Sequence, residues 1–142
     1  MGLFNKIFGP SEFQLEFQKA HSLKWFLAVK NINSVEYTYR NSKVKNSFLS
    51  SIIIFDFEND FIHLRGDIIP EVFDYQEIFQ IVKHTLVEGE LIFYISPVYD
   101  NEIVMKCIVR RDYILFEATR RHWIASINSN NIQCFTNSTN TF

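Results

Sequence analysis

Asp74-Tyr-Gln-Glu-Ile-Phe-Gln-Ile-Val-Lys-His-Thr-Leu-Val-Glu-Gly89 holds the densest set of helix signals in the chain. Asp74 stands where an N-cap belongs, its carboxylate able to accept from the free amides of a first turn, and Glu77 follows three residues on as a capping-box partner. Phe73 and Ile78 occupy the two positions of a hydrophobic staple. Tyr75, Ile78, Phe79, Val82 and Leu86 recur at helical spacing, and Gly89 is placed to end the helix in a left-handed conformation. Glu71 and Asp74 lie near the positive end of the helix dipole. Together these signals predict a helix over about 72–88, and the rest of the chain is read around it.

Upstream, Ser11-Glu-Phe-Gln14 is a second capping box, followed by Phe13, Phe17, Ala20, Leu23 and Leu27 at helical spacing. Phe13, Leu15 and Phe17 also alternate as a strand would. The cap and the lack of β-branched residues before Val29 favour a helix over about 12–30, ended by Asn31-Ile-Asn-Ser34. Val35 to Arg40 alternates as a strand, Asn41 to Asn46 is a polar loop, and Phe48 to Phe57 is a long apolar run suited to a central strand. After a turn at Glu58-Asn-Asp60, Phe61 to Arg65 returns, so 35–66 predicts a three-stranded antiparallel meander. Downstream, Leu91 to Ile95 and Glu102 to Arg110 form a hairpin around Pro97-Val-Tyr-Asp-Asn101. Asp112 is placed to cap a last helix carrying Phe116, Trp123 and Ile127, although 113–118 suits a strand as well. The expected fold is α+β, with helices packed on one antiparallel sheet. Residues 1–130 form a single domain and 131–142 a polar tail that frays.

Charge is unevenly placed. Residues 56–102 carry eleven acidic side chains against Arg65 and Lys83, while both flanking stretches are basic, so the net charge of −2 conceals a division into opposite signs. Fifteen Phe, six Tyr and two Trp supply a core of large rings, some of which suit an interface. Cys107 and Cys134 have no metal-type partner spacing and read as free thiols of a reducing compartment. No apolar run reaches the length of a membrane helix, and Met1 to Pro10 lacks the long apolar stretch of a secretion signal. Cytoplasm is the expected location.

No catalytic constellation stands out. His21, His63, His84 and His122 are scattered without metal-ligand spacing, His84 and Glu88 being one helical turn apart. Four glycines leave no phosphate-cradling loop, and neither cysteine nor any serine sits in a nucleophile motif. The chain is therefore read as a non-enzymatic protein, with no cofactor and no metal expected. Two surfaces remain. Asp67, Glu71, Asp74 and Glu77, joined by Glu58 and Asp60 if that turn packs beside the helix start, form an acidic patch suited to a basic protein partner. Lys106, Arg110, Arg111, Arg120 and Arg121 form the alternative, a nucleic-acid contact, although counterion release needs a broader positive face than this acidic protein offers.

The expected order of helix, three strands, helix, two strands and helix resembles class I type III secretion chaperones and the related YbjN-type bacterial proteins. The likeness is topological and covers about 11–128, with Asp74 to Gly89 standing where the middle helix would. It implies a small, non-enzymatic, often dimeric protein with no catalytic residues. The functional expectation is a binding protein that sequesters a basic partner: an immunity protein neutralising a cognate toxin, or a secretion-type chaperone.

Overall fold

The computed structural model describes residues 11–39, 41–66, 76–87, 90–99, 102–110, 114–118, 124–129 and 131–136. Among these there is one helix, α1 (Glu12–Ser22), and nine strands. The strands are β1 (Phe26–Tyr39), β2 (Ser42–Asp56), β3 (Phe61–Arg65), β4 (Gln76–Val87), β5 (Glu90–Pro97), β6 (Met105–Val109), β7 (Ile114–Ala118), β8 (Ile124–Asn128) and β9 (Asn131–Phe135). Each strand from β2 to β7 pairs antiparallel with the next, and β1 pairs with both β2 and β8. The sheet therefore closes on itself as an eight-stranded barrel, with β9 added along β1.

Closure gives every strand an inside and an outside. Leu27, Val29, Val35, Ile53, Phe55, Ile62, Leu64, Phe93, Ile95, Cys107, Val109 and Phe116 are among the buried side chains that fill the interior. A barrel of eight strands leaves just enough room for such filling. α1 lies against the opening toward which Phe55, Phe57 and Phe93 project. Its Phe17, fully buried, sets its ring edge-on to Phe55 at 4.8 Å and Phe57 at 5.0 Å, and tilted to Phe93 at 5.0 Å.

The first capping box is formed. The Ser11 hydroxyl accepts from the Gln14 amide at 3.1 Å, and the Ser11 amide donates to Gln14 Oε1 at 3.3 Å. The helix does not run to residue 30, however. Lys24 adopts φ 56°, the Trp25 amide donates to the Ala20 carbonyl at 2.9 Å, and the Lys24 amide donates to that of His21 at 3.3 Å. That is a Schellman ending with lysine in the glycine position, and Phe26 onward is strand.

β1, β2 and the β8–β9 stretch all break at one level. The β1–β2 register shifts between Lys30 and Ile32, and Asn31 has φ 50°. On the other edge of β1, β8 pairs with Ser34–Tyr37 and β9 with Phe26–Lys30. Between β8 and β9 the Ser129 hydroxyl donates to the Lys30 carbonyl at 2.8 Å and accepts from the Asn131 amide at 3.2 Å. These three coincident irregularities bend the wall as bulges do.

The α+β expectation, and with it the chaperone-like arrangement, is overturned by this mostly β barrel. The helix expected over 72–88 is β4 from Gln76 to Val87; its expected caps Asp74 and Gly89 lie outside the described residues. The expected stripe draws on both sides of this strand, which also carries a bulge. Phe79 and Ile81 pair with Pro97 and Ile95, Val82 is the extra residue, and His84 and Leu86 then pair with Phe93 and Leu91. One side of β4 thus carries residues 79, 81, 84 and 86, of which only Phe79 and Leu86 belong to the stripe read from the sequence. Three members of the stripe read from the sequence, Ile78, Val82 and Leu86, are 46%, 44% and 62% exposed, where a helix would have buried them.

The last expected helix is β7 and β8, with Ile114 opposite Ile127; Asp112 and Trp123 lie outside the described residues. The loop expected at 41–46 is strand from Ser42 on, in the β1–β2 hairpin. Residues 131–135, expected to fray, are held as β9: Ile132 and Cys134 pack on the core, and Phe135 stacks on Phe26 at 5.4 Å and 7°. The strands at 61–65 and within 48–57 and the 91–110 hairpin form as read.

Candidate functional site

The β2–β3 turn is the acidic feature that the described residues retain. Buried Asp56 builds it: Oδ1 accepts from the amides of Glu58 and Asn59, both at 3.1 Å, and Oδ2 accepts from Asn59 Nδ2 at 3.0 Å. Asp60 takes φ 58°, and its carbonyl accepts from the Ile81 amide at 2.7 Å. Glu58 and Asp60 are exposed on this rigid turn, beside the bulge of β4.

Of the other acidic candidates, Glu77 lies on β4 opposite Leu64, with only its backbone described, and Asp67, Glu71 and Asp74 fall outside the described residues. The helix start that was to gather them is not there, because Gln76 onward is strand.

What adjoins the turn is apolar. Phe61 follows Asp60 and turns its ring toward His63 at 6.3 Å. His63 pairs with Ile78, and Pro97 pairs with Phe79 just before the chain turns at Val98 and Tyr99. Ile78 is 46% exposed, Val98 47% and Tyr99 91%. Burial holds the His63 imidazole below its ordinary value; nearby Asp56 works the other way and Arg65 adds to the lowering. The outer positions of β3 and β4 thus carry Phe61, His63 and Ile78 together with the polar Arg65 and Gln80, with two carboxylates on the turn that leads into β3. Sequence reading missed this face, although Val98 and Tyr99 inside a Pro/Asp/Asn turn were a visible signal: a turn gives such side chains nothing to pack against.

The basic candidates are dispersed. Lys106 sits on β6 between Tyr94 of β5 and Glu117 of β7, and Arg110 makes an ion pair with Glu90, Nε to Oε2 at 2.5 Å. Arg111, Arg120 and Arg121 lie outside the described residues. Two of the five cations therefore stand against the protein's own carboxylates or rings rather than on one open positive face.

Two histidines read as unrelated in the sequence meet. His21 of α1 and His84 of β4 stand with ring centroids 4.5 Å apart, over Phe57 and Phe93. Among the described residues no group of three or more His, Cys, Asp or Glu is placed to hold a metal ion. Cys107 is buried, which pushes its thiol far up, and Cys134, half-buried near Glu16, is raised as well. A shallow groove of about 430 Å³ lies at the far end of the β1–β2 hairpin, lined by Glu36, Tyr37, Thr38, Lys43, Val44, Lys45 and Ser126. The Glu36–Lys45 ion pair at 3.7 Å lies along it. No described helix is long and apolar enough to cross a membrane.

No family model matches this chain, and neither does any curated protein. Among solved structures, EndoMS in its apo form is similar, with a TM-score of 0.38 and 12% identity over 88% of this chain. The chain spans 45% of the length of that protein.

Proposed function

We propose that this chain is a non-enzymatic cytoplasmic binding protein that sequesters a basic protein partner on the outer face of β3, β4 and the β5 turn. The observation that carries the reading is the exposure of Ile78, Val98 and Tyr99 on and just past strands β4 and β5, in the same stretch of wall as β3, whose leading turn bears Glu58 and Asp60. Protein interfaces join an apolar centre to a polar rim, with tyrosine a frequent anchor. Carboxylates at the rim raise the encounter rate with a cationic surface and disfavour acidic partners. The finer form of the proposal is an immunity protein that neutralises a basic toxin. A toxin gene beside this one would supply the natural partner.

The test places a photo-crosslinking amino acid at Tyr99 or, as a control on the far hairpin, at Lys43. The expected result is capture of one basic protein from position 99 alone. Capture should weaken at about 0.5 M salt relative to about 0.1 M and be lost in Ile78→Asp. Equal capture from both positions, or a captured protein that is acidic or insensitive to salt, overturns the proposal.

A further inference from the structure

We propose that His21 and His84 form an acid-released latch that holds α1 against the barrel opening. The two residues come from different elements and meet only because α1 folds over the barrel. Their rings stand 4.5 Å apart at 72°, edge to face. His21 also lies 5.1 Å from Phe57 and 6.0 Å from Phe93, and His84 lies 5.9 Å from Phe93. The last turn of α1, through His21, is thereby seated on a shelf of three rings.

In the neutral state one imidazole edge meets the face of the other, an arrangement that aromatic pairs favour. When both are protonated, the same contact sets two cations side by side over apolar rings. Charged groups face the pair from two further places. Lys24, just past α1, opposes imidazolium formation at His21, and Asp60, from the β2–β3 turn, favours it. Phe57, just past β2, and Phe93, from β5, bring no charge. A single imidazolium is tolerated there, offset by Asp60 and by the faces of the phenyl rings. Two are not, because one carboxylate does not balance His21, His84 and Lys24 together. Burial, His84 and Lys24 all hold His21 below the usual imidazole value, so His21 takes up its proton on the acid side of neutrality. Loosening begins at the C-terminal turn of α1 and lifts Phe17 from Phe55, Phe57 and Phe93 more often, opening an apolar mouth that is covered at neutral pH.

Amide hydrogen exchange across α1 tests this, compared at about pH 7.5 and about pH 5 after correction for the intrinsic pH dependence of exchange. In the unmodified chain the α1 amides should exchange roughly tenfold faster at the lower pH, while those of β5 to β7 keep their protection. In His84→Gln, a neutral side chain at an exposed position, the acceleration should fall below about threefold. In His84→Lys, α1 should already be loosened at the higher pH. Overturning results are an unchanged α1 in the unmodified chain, the same acceleration in His84→Gln, or a uniform loss of protection through the barrel, which would mark global acid unfolding.

Discussion

Phe17→Ala is the substitution that most directly tests how the barrel end is closed. The phenyl ring is fully buried and meets Phe55 of β2, Phe57 just past β2 and Phe93 of β5 at 4.8 to 5.0 Å, with Phe13 of its own helix stacked at 6.0 Å. Truncating a buried phenylalanine costs about 3–5 kcal/mol, the sum of lost transfer energy and the cavity left behind. Aromatic pairs add about 0.5–1.5 kcal/mol each beyond burial, and this ring makes four. Phe55, Phe57 and Phe93 are held on or beside strands and cannot collapse into the space, so the loss belongs in the upper part of the range, about 4–5 kcal/mol. Against a total stability of roughly 5–15 kcal/mol for a domain, that is a large fraction. Urea unfolding followed by circular dichroism measures it, with Leu15→Ala on the exposed side of α1 as a control costing less than about 1 kcal/mol. A Phe17→Ala loss below about 1.5 kcal/mol would refute the idea that α1 plugs the barrel.

Other outcomes follow from local geometry. Lys24→Gly should raise stability by about 0.5–1 kcal/mol in the same assay, because Lys24 holds a left-handed conformation that glycine adopts freely. Gly66→Ala should cost about 1–3 kcal/mol, since φ is +92° and an added Cβ would lie 2.7 Å from Ser51 Oγ and 3.2 Å from Ser51 Cα. His21 and His63 are both held below the usual imidazole value, chiefly by burial, so the folded chain takes up these protons less readily than the unfolded one. The stability they contribute is complete above the unfolded imidazole value of 6.5 and is lost as pH falls below it, so the urea midpoint should drop between about pH 7.5 and about pH 5. Cys107, buried with its thiol raised, should resist alkylation in the native protein while Cys134 reacts slowly; equal rates would contradict the packing.

The sequence was legible where local chemistry and final structure agree. Ser11 and Gln14 make their capping box, and the apolar run ending at Phe57 with its return at Phe61 forms adjacent strands. It misled where a local pattern was a coincidence of sheet geometry. β4 carries β-branched residues at Ile78, Ile81, Val82, Thr85 and Val87, which favour a strand. Ile78 and Phe79, on opposite sides of the strand, nevertheless fall at helical spacing with Val82 and Leu86, and cap-like residues flank them in the sequence. The end of α1 was hidden because a lysine, not a glycine, takes the left-handed position. The Ile114–Phe116 and Ile127 positions fit a helix only until β7 and β8 are seen to face each other. Of the candidate site, Glu58 and Asp60 were visible because a turn after an apolar strand is exposed. The neighbouring Ile78 and Val98 were not, since their closeness comes from strand pairing, and neither was the meeting of His21 with His84.

The seam between β1 and β8 has a consequence for how the molecule is made. It joins Val35 to Ile127, so the ring is sealed by contacts between the early and late parts of the chain. Distant pairings must overcome the entropy of the intervening loop before they stabilise anything. On a ribosome, the hairpins from β2 to β7 emerge with one flank of β1 unpaired, an open template for foreign strands. The interval before β8 arrives is therefore when this protein is most exposed to aggregation, and slower elongation through 124–135 would lengthen it.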